Sequence, residues 1–517
     1  MRYTLSVPSL FFIAIIVLLS SNSMAQCTDS SVLKYALHPP PGVSAYDVAT
    51  KVFRCFIHSS GSQLPAAAAD KPVITAGTFS PSLRGAAVSP ADNRIRYIGG
   101  HTVESFANVQ PGNYPASLFT TAKNVSFSAT ERSAIGSIVE FDLTCPRFEI
   151  FEYESGGAVR VLIDNKIAGA YNYRSAGDLN YRLFDFTAIN AKPVKRHVRL
   201  EYSGKSVMGG LQLDTIGSLL PLEDKNNYRI CWLGDSFTEG TGVANTQTPH
   251  EAVAAYASKL LGFSDYRLSG LGGTGYSASY NPGFGSVRPS LFERVQYDGV
   301  AADVFVVALG LNDMDTDTSL SRKITASLDK LRAANQASLI YVLGPYGNGR
   351  GENIKANVEQ KIISAAANRP GVSFISVYDI AFTKSDTTHP DPAGHVTLGK
   401  AIAARIQARV DAADSLLTIP DTSSGGTTNP PTSFSAKIGP NPVRQGEDLR
   451  LQINSTQAGE GTLTIISNTG IRLFRQRLTL IKGANNTPVH TARLTQGLYL
   501  VNINNGSASI TLKIVVH

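Results

Sequence analysis

The 517-residue chain has few charges, few cysteines and, past its first two dozen residues, no long apolar run. Charged residues make up 17% of it and hydrophobic residues 43%, which excludes a disordered or fibrous polyelectrolyte. The 45 glycines and 26 prolines follow no repeat, so a collagen-like chain is excluded too. Four cysteines are present, and none stands at a zinc-ligand spacing, so no metal site is expected. Neither a Walker lysine nor a Gly-x-Gly-x-x-Gly turn in a strand–helix setting occurs, so no nucleotide cofactor is expected. The length is that of about three domains.

The single early apolar run has a specific form. Arg2 precedes Leu10–Leu19, and Ser23-Met24-Ala25 follows. A basic start, about ten apolar residues and a small-x-small site make a secretory signal peptide with cleavage after Ala25. The run is too short to span a bilayer, which takes about 20 residues, so no transmembrane anchor is expected in the mature chain. Cys27 lies near the cleavage site, but Gln26 stands where a lipidation site needs a small residue. All four cysteines are in the exported part. A local Cys27–Cys55 bridge suits an oxidising compartment, and Cys231 reads as a buried thiol within an apolar strand.

Residues 26–80 are rich in Ala, Ser and Pro and read as a lead-in with little regular structure. Residues 81–222 alternate polar and apolar positions, as in Ser137–Leu143, Phe148–Tyr153 and His197–Tyr202. A turn is expected at Asp164-Asn165-Lys166. Short strands of period two with such turns predict an antiparallel β-sandwich. From 227 to 415 the pattern changes. Apolar strands are expected at 228–233, 265–268, 303–309, 338–343 and 373–377. Helices are expected at 249–261, 319–335, 353–368 and 393–414. That alternation predicts a parallel sheet covered on both faces, with its chemistry beyond the carboxyl ends of the strands. A polar linker at 416–433 leads to a second β segment, 434–517.

Four motifs fall at those strand ends. Gly234-Asp235-Ser236-Phe237 follows the first strand and places a serine hydroxyl at a strand-to-helix turn. Leu268–Tyr276 carries Gly270, Gly272, Gly273 and Gly275. Clustered glycines let backbone N–H groups approach a developing oxyanion. Gly310-Leu311-Asn312-Asp313 offers a side-chain amide to the same oxyanion. Asp386-Thr387-Thr388-His389 precedes the last helix, where a tight loop can present carboxylate and imidazole together. His395, on that helix, reads as an ordinary packed histidine. Aromatic loops at 276–288 (Tyr276, Tyr280, Phe284) and 344–351 (Tyr346, Arg350) either shape the cleft or cover the core.

In this order and setting the four blocks resemble the SGNH hydrolases, also called GDSL esterases. The resemblance covers about 190 residues. It implies a flavodoxin-like α/β/α domain that needs no metal or cofactor. It also implies Ser236 as nucleophile, His389 as general base and acid, and Asp386 as the orienting carboxylate. The oxyanion hole would comprise the N–H of Ser236, an N–H of the glycine segment and the side chain of Asn312. Gly273 is chosen from the segment, with Gly272 and Gly270 as alternatives. The implied activity is that of a serine esterase acting through an acyl-enzyme. A β-sandwich followed by this domain resembles some secreted carbohydrate esterases, so acetyl groups on polysaccharide are the expected substrate. The competing readings are a lipid, short-chain ester or thioester hydrolase of the same fold, and a non-catalytic glycan-binding protein.

The tail has Pro440-Asn441-Pro442, an Asn468-Thr469-Gly470 turn, Gly497-Leu498-Tyr499 and Lys513-Ile514-Val515-Val516. These resemble the C-terminal sorting domain of the type IX secretion system of Bacteroidetes. That machinery is therefore an expected partner, with the tail removed after export. The charge supports this division. Residues 434–517 hold nine Lys/Arg and three Asp/Glu, which is nearly all of the net +7. The basic pI of about 9.0 thus belongs to the tail, and nucleic-acid binding loses its support.

Overall fold

A computed structural model describes the chain from residue 44 to residue 516. Segments 60–63, 79–80, 99–100, 106–117, 123–136, 154–156, 174–178, 204–206, 223–227, 244–248, 282–286, 299–301, 348–351, 417–433, 442, 468–471, 492–493, 495–496 and 505–508 are excepted. The signal segment, Cys27, Phe284, Arg350, nearly all of the linker and the 468–470 turn lie outside the described residues. Cys55 is disulfide-bonded, whereas Cys145 and Cys231 are buried thiols. The chain forms two compact units, one of residues 26–415 and one that includes residues 416–517.

Five strands form the parallel sheet: β1 (Arg229–Gly234), β2 (Asp265–Gly270), β3 (Val304–Ala308), β4 (Leu339–Leu343) and β5 (Val372–Ile375). Their spatial order is β2-β1-β3-β4-β5. The chain therefore reverses direction across the sheet between β1 and β3, where open α/β sheets form their crevice. Alternation assigns each strand's side chains to two faces. Cys231, Leu233, Phe305, Val307, Ile340 and Val342 share one apolar cluster with helices α4 (Leu291–Asp298), α5 (Leu320–Ala334) and α6 (Glu352–Ala366). On the other face Trp232 donates its indole N–H to Ser258 of α3 (Val253–Leu260) at 2.9 Å.

A helix, α1 (Ala45–Ser59), also packs there, and this corrects the expectation that residues 26–80 have little regular structure. Ala45, Val48, Ala49, Val52, Phe53, Phe56 and Ile57 recur at helical spacing, and all are buried. Ser44 and Asp47 cap the helix start reciprocally. The Asp47 N–H donates to Ser44 Oγ at 3.2 Å, and the Ser44 N–H donates to Asp47 Oδ2 at 2.9 Å. Phe53 and Phe56 pack at tilted angles into a ring cluster with Tyr228 and Phe263. At its far end Arg54 and His58 both bond Asp411 of α7 (Pro392–Leu416) at 2.9 Å. The Ala/Ser/Pro content of the whole segment masked this one amphipathic stretch.

Two antiparallel sheets precede β1. Strand Val73–Thr78, inside the expected lead-in, opens one of them by pairing with Leu179–Asp185. The other centres on Ser137–Thr144, Lys195–Tyr202 and Gly157–Ile163. Asp164 and Asn165 have φ of 50° and 63°, making the tight left-handed turn expected there. Val139, Phe141, Leu143, Phe148, Ile150, Val198 and Leu200, drawn from both sheets, share one core. The alternating strands suggest one wet face. Instead Glu140, Asp142, Arg199 and Glu201 are buried as well, and the parallel-sheet domain covers the Arg199 and Glu201 end. Arg199 bonds the Ser264 carbonyl at 3.0 Å and Arg160 the His250 carbonyl at 3.1 Å.

In the C-terminal unit a three-stranded sheet (434–439, 448–455, 483–490) and a four-stranded sheet (459–467, 472–480, 497–504, 509–516) share one apolar core. Strand Asp448–Ser455 alternates exposed and buried along its whole length, the mark of a half-buried strand.

Candidate active site

β1 ends at Gly234, where a Cβ would lie 2.0 Å from Thr238 Oγ1, so only glycine lets the chain turn this tightly. Asp235 caps the single-turn helix α2 (Ser236–Glu239) by accepting the Phe237 N–H at 3.0 Å. Gly240, with φ of 94°, closes the turn by donating to the Ser236 carbonyl. Ser236 is therefore the first residue of the helix. Its N–H has no acceptor among the described residues, as expected of a first-turn donor. Phe237 is anchored beneath by a stacked Tyr346, ring centroids 4.3 Å apart.

The loop before α7 is closed by a backbone bridge between Lys384 and Pro390. Inside it Asp386 Oδ1 accepts the N–H groups of Thr388 and His389, each at 2.6 Å. Asp386 Oδ2 accepts from His389 Nδ1 at 2.7 Å. A carboxylate can only accept, so Nδ1 carries the imidazole proton and Nε2 is left as an acceptor. Nε2 faces Ser236 Oγ at 3.0 Å. The hydrogen bonds from His389 and Thr388 hold the Asp386 carboxyl down at about 2, although its side chain is half exposed. Asp235, beside the serine, is the opposite case. Burial, with Asp313 adding like charge, pushes its carboxyl up to about 7.

The glycine segment makes a turn, Leu271–Thr274, closed by the Thr274 N–H on the Leu271 carbonyl at 3.2 Å. Gly272 lies against Ser236: a Cβ there would sit 3.4 Å from Ser236 Cβ. Its N–H is occupied, donating to Glu239 Oε2 at 2.6 Å. Gly270 lies within β2, opposite Gly234. Gly273, with φ of 79°, has an N–H with no acceptor among the described residues. Asn312 Nδ2 donates to the Thr274 carbonyl at 2.9 Å, which fixes the amide beside this turn and leaves its second N–H available.

Sequence reasoning left the aromatic residues open, and the structure separates them. Tyr276 and Tyr346 are fully buried and belong to the core. Tyr280 is exposed, and its ring covers Gly273: a Cβ on that glycine would meet Tyr280 Cγ at 2.5 Å. His395 is packed as expected. Its Nδ1 accepts the Val253 N–H and its Nε2 donates to the Thr241 carbonyl, while burial holds its pKa down at about 4. Three supporting residues were given no role in the sequence reading. Glu239 and Arg288 brace Gly272. Asp313 accepts the N–H groups of Tyr276, Ser277 and Ala278. Glu239 left a signal as the carboxylate one helical turn beyond the serine, and Asp313 as the neighbour of Asn312 in its block; Arg288 left none. Among the described residues no group of three or more His, Cys, Asp or Glu could hold a metal ion.

The GDSL-like lipase/acylhydrolase family matches residues 232–396, which contain this whole arrangement. The domain is a GDSL-type ester hydrolase. A secretion system C-terminal sorting domain matches residues 437–517 and marks the esterase for secretion or the cell surface by the type IX route. Among the described residues no helix is long and apolar enough to cross a membrane. No curated protein matches the chain by sequence. Among solved structures the esterase is similar to the salicylyl-acyltransferase SsfX3 of a tetracycline biosynthetic pathway. That match has 13% identity and a TM-score of 0.50, and covers 63% of this chain and 97% of the other. At that identity the likeness shows the fold. A family two carbohydrate esterase from Cellvibrio japonicus (17% identity, TM-score 0.49, 64% and 99% covered) is also similar. So is the acetyl xylan esterase Est2A from the rumen bacterium Butyrivibrio proteoclasticus (18%, 0.46, 66% and 99%).

Proposed function

We propose that the protein is an exported serine esterase that removes acyl groups, acetyl foremost, from polysaccharide outside the cell. The observation that carries the reading is the file Asp386–His389–Ser236, bonded at 2.7 Å and 3.0 Å in a domain of acylhydrolase type. His389 Nε2 takes the Ser236 proton as Oγ attacks the ester carbonyl. Asp386 holds the imidazole in the required tautomer and stabilises the imidazolium that forms. The carbonyl oxygen becomes an oxyanion between the N–H groups of Ser236 and Gly273 and the second amide N–H of Asn312. His389 then protonates the departing alcohol, and water cleaves the acyl-enzyme by the same steps in reverse roles.

Two features favour a small acyl group on a large alcohol. The exposed Tyr280 ring lies over Gly273, the neighbour of the Gly272 that lies against Ser236, and would narrow the cleft on that side. A sorting domain for secretion or the cell surface supports a substrate met outside the cell, such as a polymer too large to import. In this reading residues 1–25 deliver the chain to the periplasm and are cleaved near Ala25. The tail is removed at the surface, and the two sheets of residues 73–220 form a β-sandwich module beside the hydrolase. A serine-directed fluorophosphonate tests the nucleophile. Labelling should map to Ser236 and vanish in Ser236→Ala. A wild-type protein that takes no label would refute the esterase mechanism.

A further inference from the structure

A β-turn's own hydrogen bond does not hold its central peptide, the one joining its second and third residues. In the turn Leu271–Thr274 that peptide joins the Gly272 carbonyl to the Gly273 N–H. The Gly273 φ of 79° is that of the third position of a type II turn. Type I and type II turns differ by a flip of this peptide, and glycine at both central positions makes either form accessible. In a trans peptide C=O and N–H point in opposite directions. Whatever holds the Gly272 oxygen therefore decides where the Gly273 N–H points.

Arg288 holds it. Arg288 Nη1 donates to the Gly272 carbonyl at 3.1 Å and to Glu239 Oε2 at 3.1 Å. The same Glu239 oxygen accepts the Gly272 N–H at 2.6 Å. Both polar groups of Gly272 are thus fixed by one ion pair, and one end of that pair stands on the helical turn that begins at Ser236. Arg288 is itself held by exchange of both backbone hydrogen bonds with Tyr280, at 2.9 and 2.7 Å. Directly paired residues share a face, so Arg288 reaches Gly272 while Tyr280 covers Gly273.

We propose that Arg288 is a positioning residue of the oxyanion hole, locking the central peptide of the 271–274 turn so that the Gly273 N–H faces the substrate oxyanion. The inference rests on Gly273 being an oxyanion donor. Without the lock the peptide samples both orientations, and the donor is in place only part of the time. The test measures kcat and KM on a short-chain aryl ester, and Tm, for wild type, Arg288→Met, Arg288→Lys and Glu239→Gln. A full oxyanion donor is worth on the order of 10²–10³ in kcat, so Arg288→Met should lose about 10- to 100-fold in kcat. KM and Tm should stay near wild type. Arg288→Lys, whose single nitrogen can donate to both oxygens but on a stem of different reach, should recover part of the loss. Glu239→Gln should fall between wild type and Arg288→Met. Wild-type kcat in Arg288→Met, or a loss that follows Tm, would overturn the lock and leave the esterase intact. A wild-type protein without turnover would overturn both.

Discussion

His389 and His250 are assembled from similar parts in two regions of residues 26–415. Each imidazole is engaged through both nitrogens. Each has a hydroxyl partner, Ser236 Oγ at 3.0 Å for His389 and Tyr266 Oη at 2.9 Å for His250. Each has a carboxylate close by: Asp386 bonds His389 directly, and Glu201 lies 2.9 Å from the Tyr266 hydroxyl. Their surroundings differ. His250 is fully buried in the seam between the antiparallel and parallel sheets, and its Nε2 donates to the Tyr202 carbonyl at 3.1 Å. Burial holds it neutral, with a pKa of about 3, against the pull of Glu201 and with Lys259, Arg160 and Arg199 adding like charge. Burial alone would raise the Glu201 carboxyl, yet Arg160 and Lys259 bring it well below the usual range. His389 instead opens to solvent on one side, and its Asp386 is half exposed. In the proposed mechanism His389 gains and loses a proton beside a substrate, which needs an open side. The fully buried seam offers none, and there the same residue types join two modules.

Perturbing the two regions should separate chemistry from architecture. The largest effect is expected from Ser236→Ala: a kcat loss of up to about 10⁶-fold, with Tm unchanged. Asp386→Asn should keep the loop but disturb the imidazole tautomer, at a cost of about 10⁴ in kcat. In the seam, Glu201→Gln leaves Arg160 and Lys259 without their buried counter-charge. It should destabilise the protein by about 3–5 kcal/mol in urea titration, while kcat per folded molecule holds. Asn312→Ala should lose about 10²–10³ in kcat with Tm kept. The smallest effect is one of pH. The folded pKa of His250 lies below its ordinary 6.5, at about 3, so the unfolded chain binds a proton that the native chain does not. Its contribution is fully present above pH 6.5 and is lost as pH falls toward about 3. Stability measured across that window should fall less steeply in His250→Gln.

The parallel-sheet strands were legible in the sequence because buried strands are continuous apolar runs, as Val304–Ala308 is. The site blocks were legible because each follows such a run or precedes the last helix. Helix α1 was not, since the window from 26 to 80 averages its stripe with Ala/Pro-rich neighbours. Nor was the buried polar face of Lys195–Tyr202. Its alternation matches that of a solvated strand, and only tertiary docking covers it. Arg288 left no local trace either, because its contacts with Gly272 and Glu239 span 16 and 49 residues.

The most direct measurement is release of acetate from acetylated xylan, beside release of acid from a long-chain ester, by wild type and Ser236→Ala. The account predicts wild-type acetate release far above that from the long-chain ester, and none of either from Ser236→Ala. Equal acetate release by wild type and Ser236→Ala would contradict it.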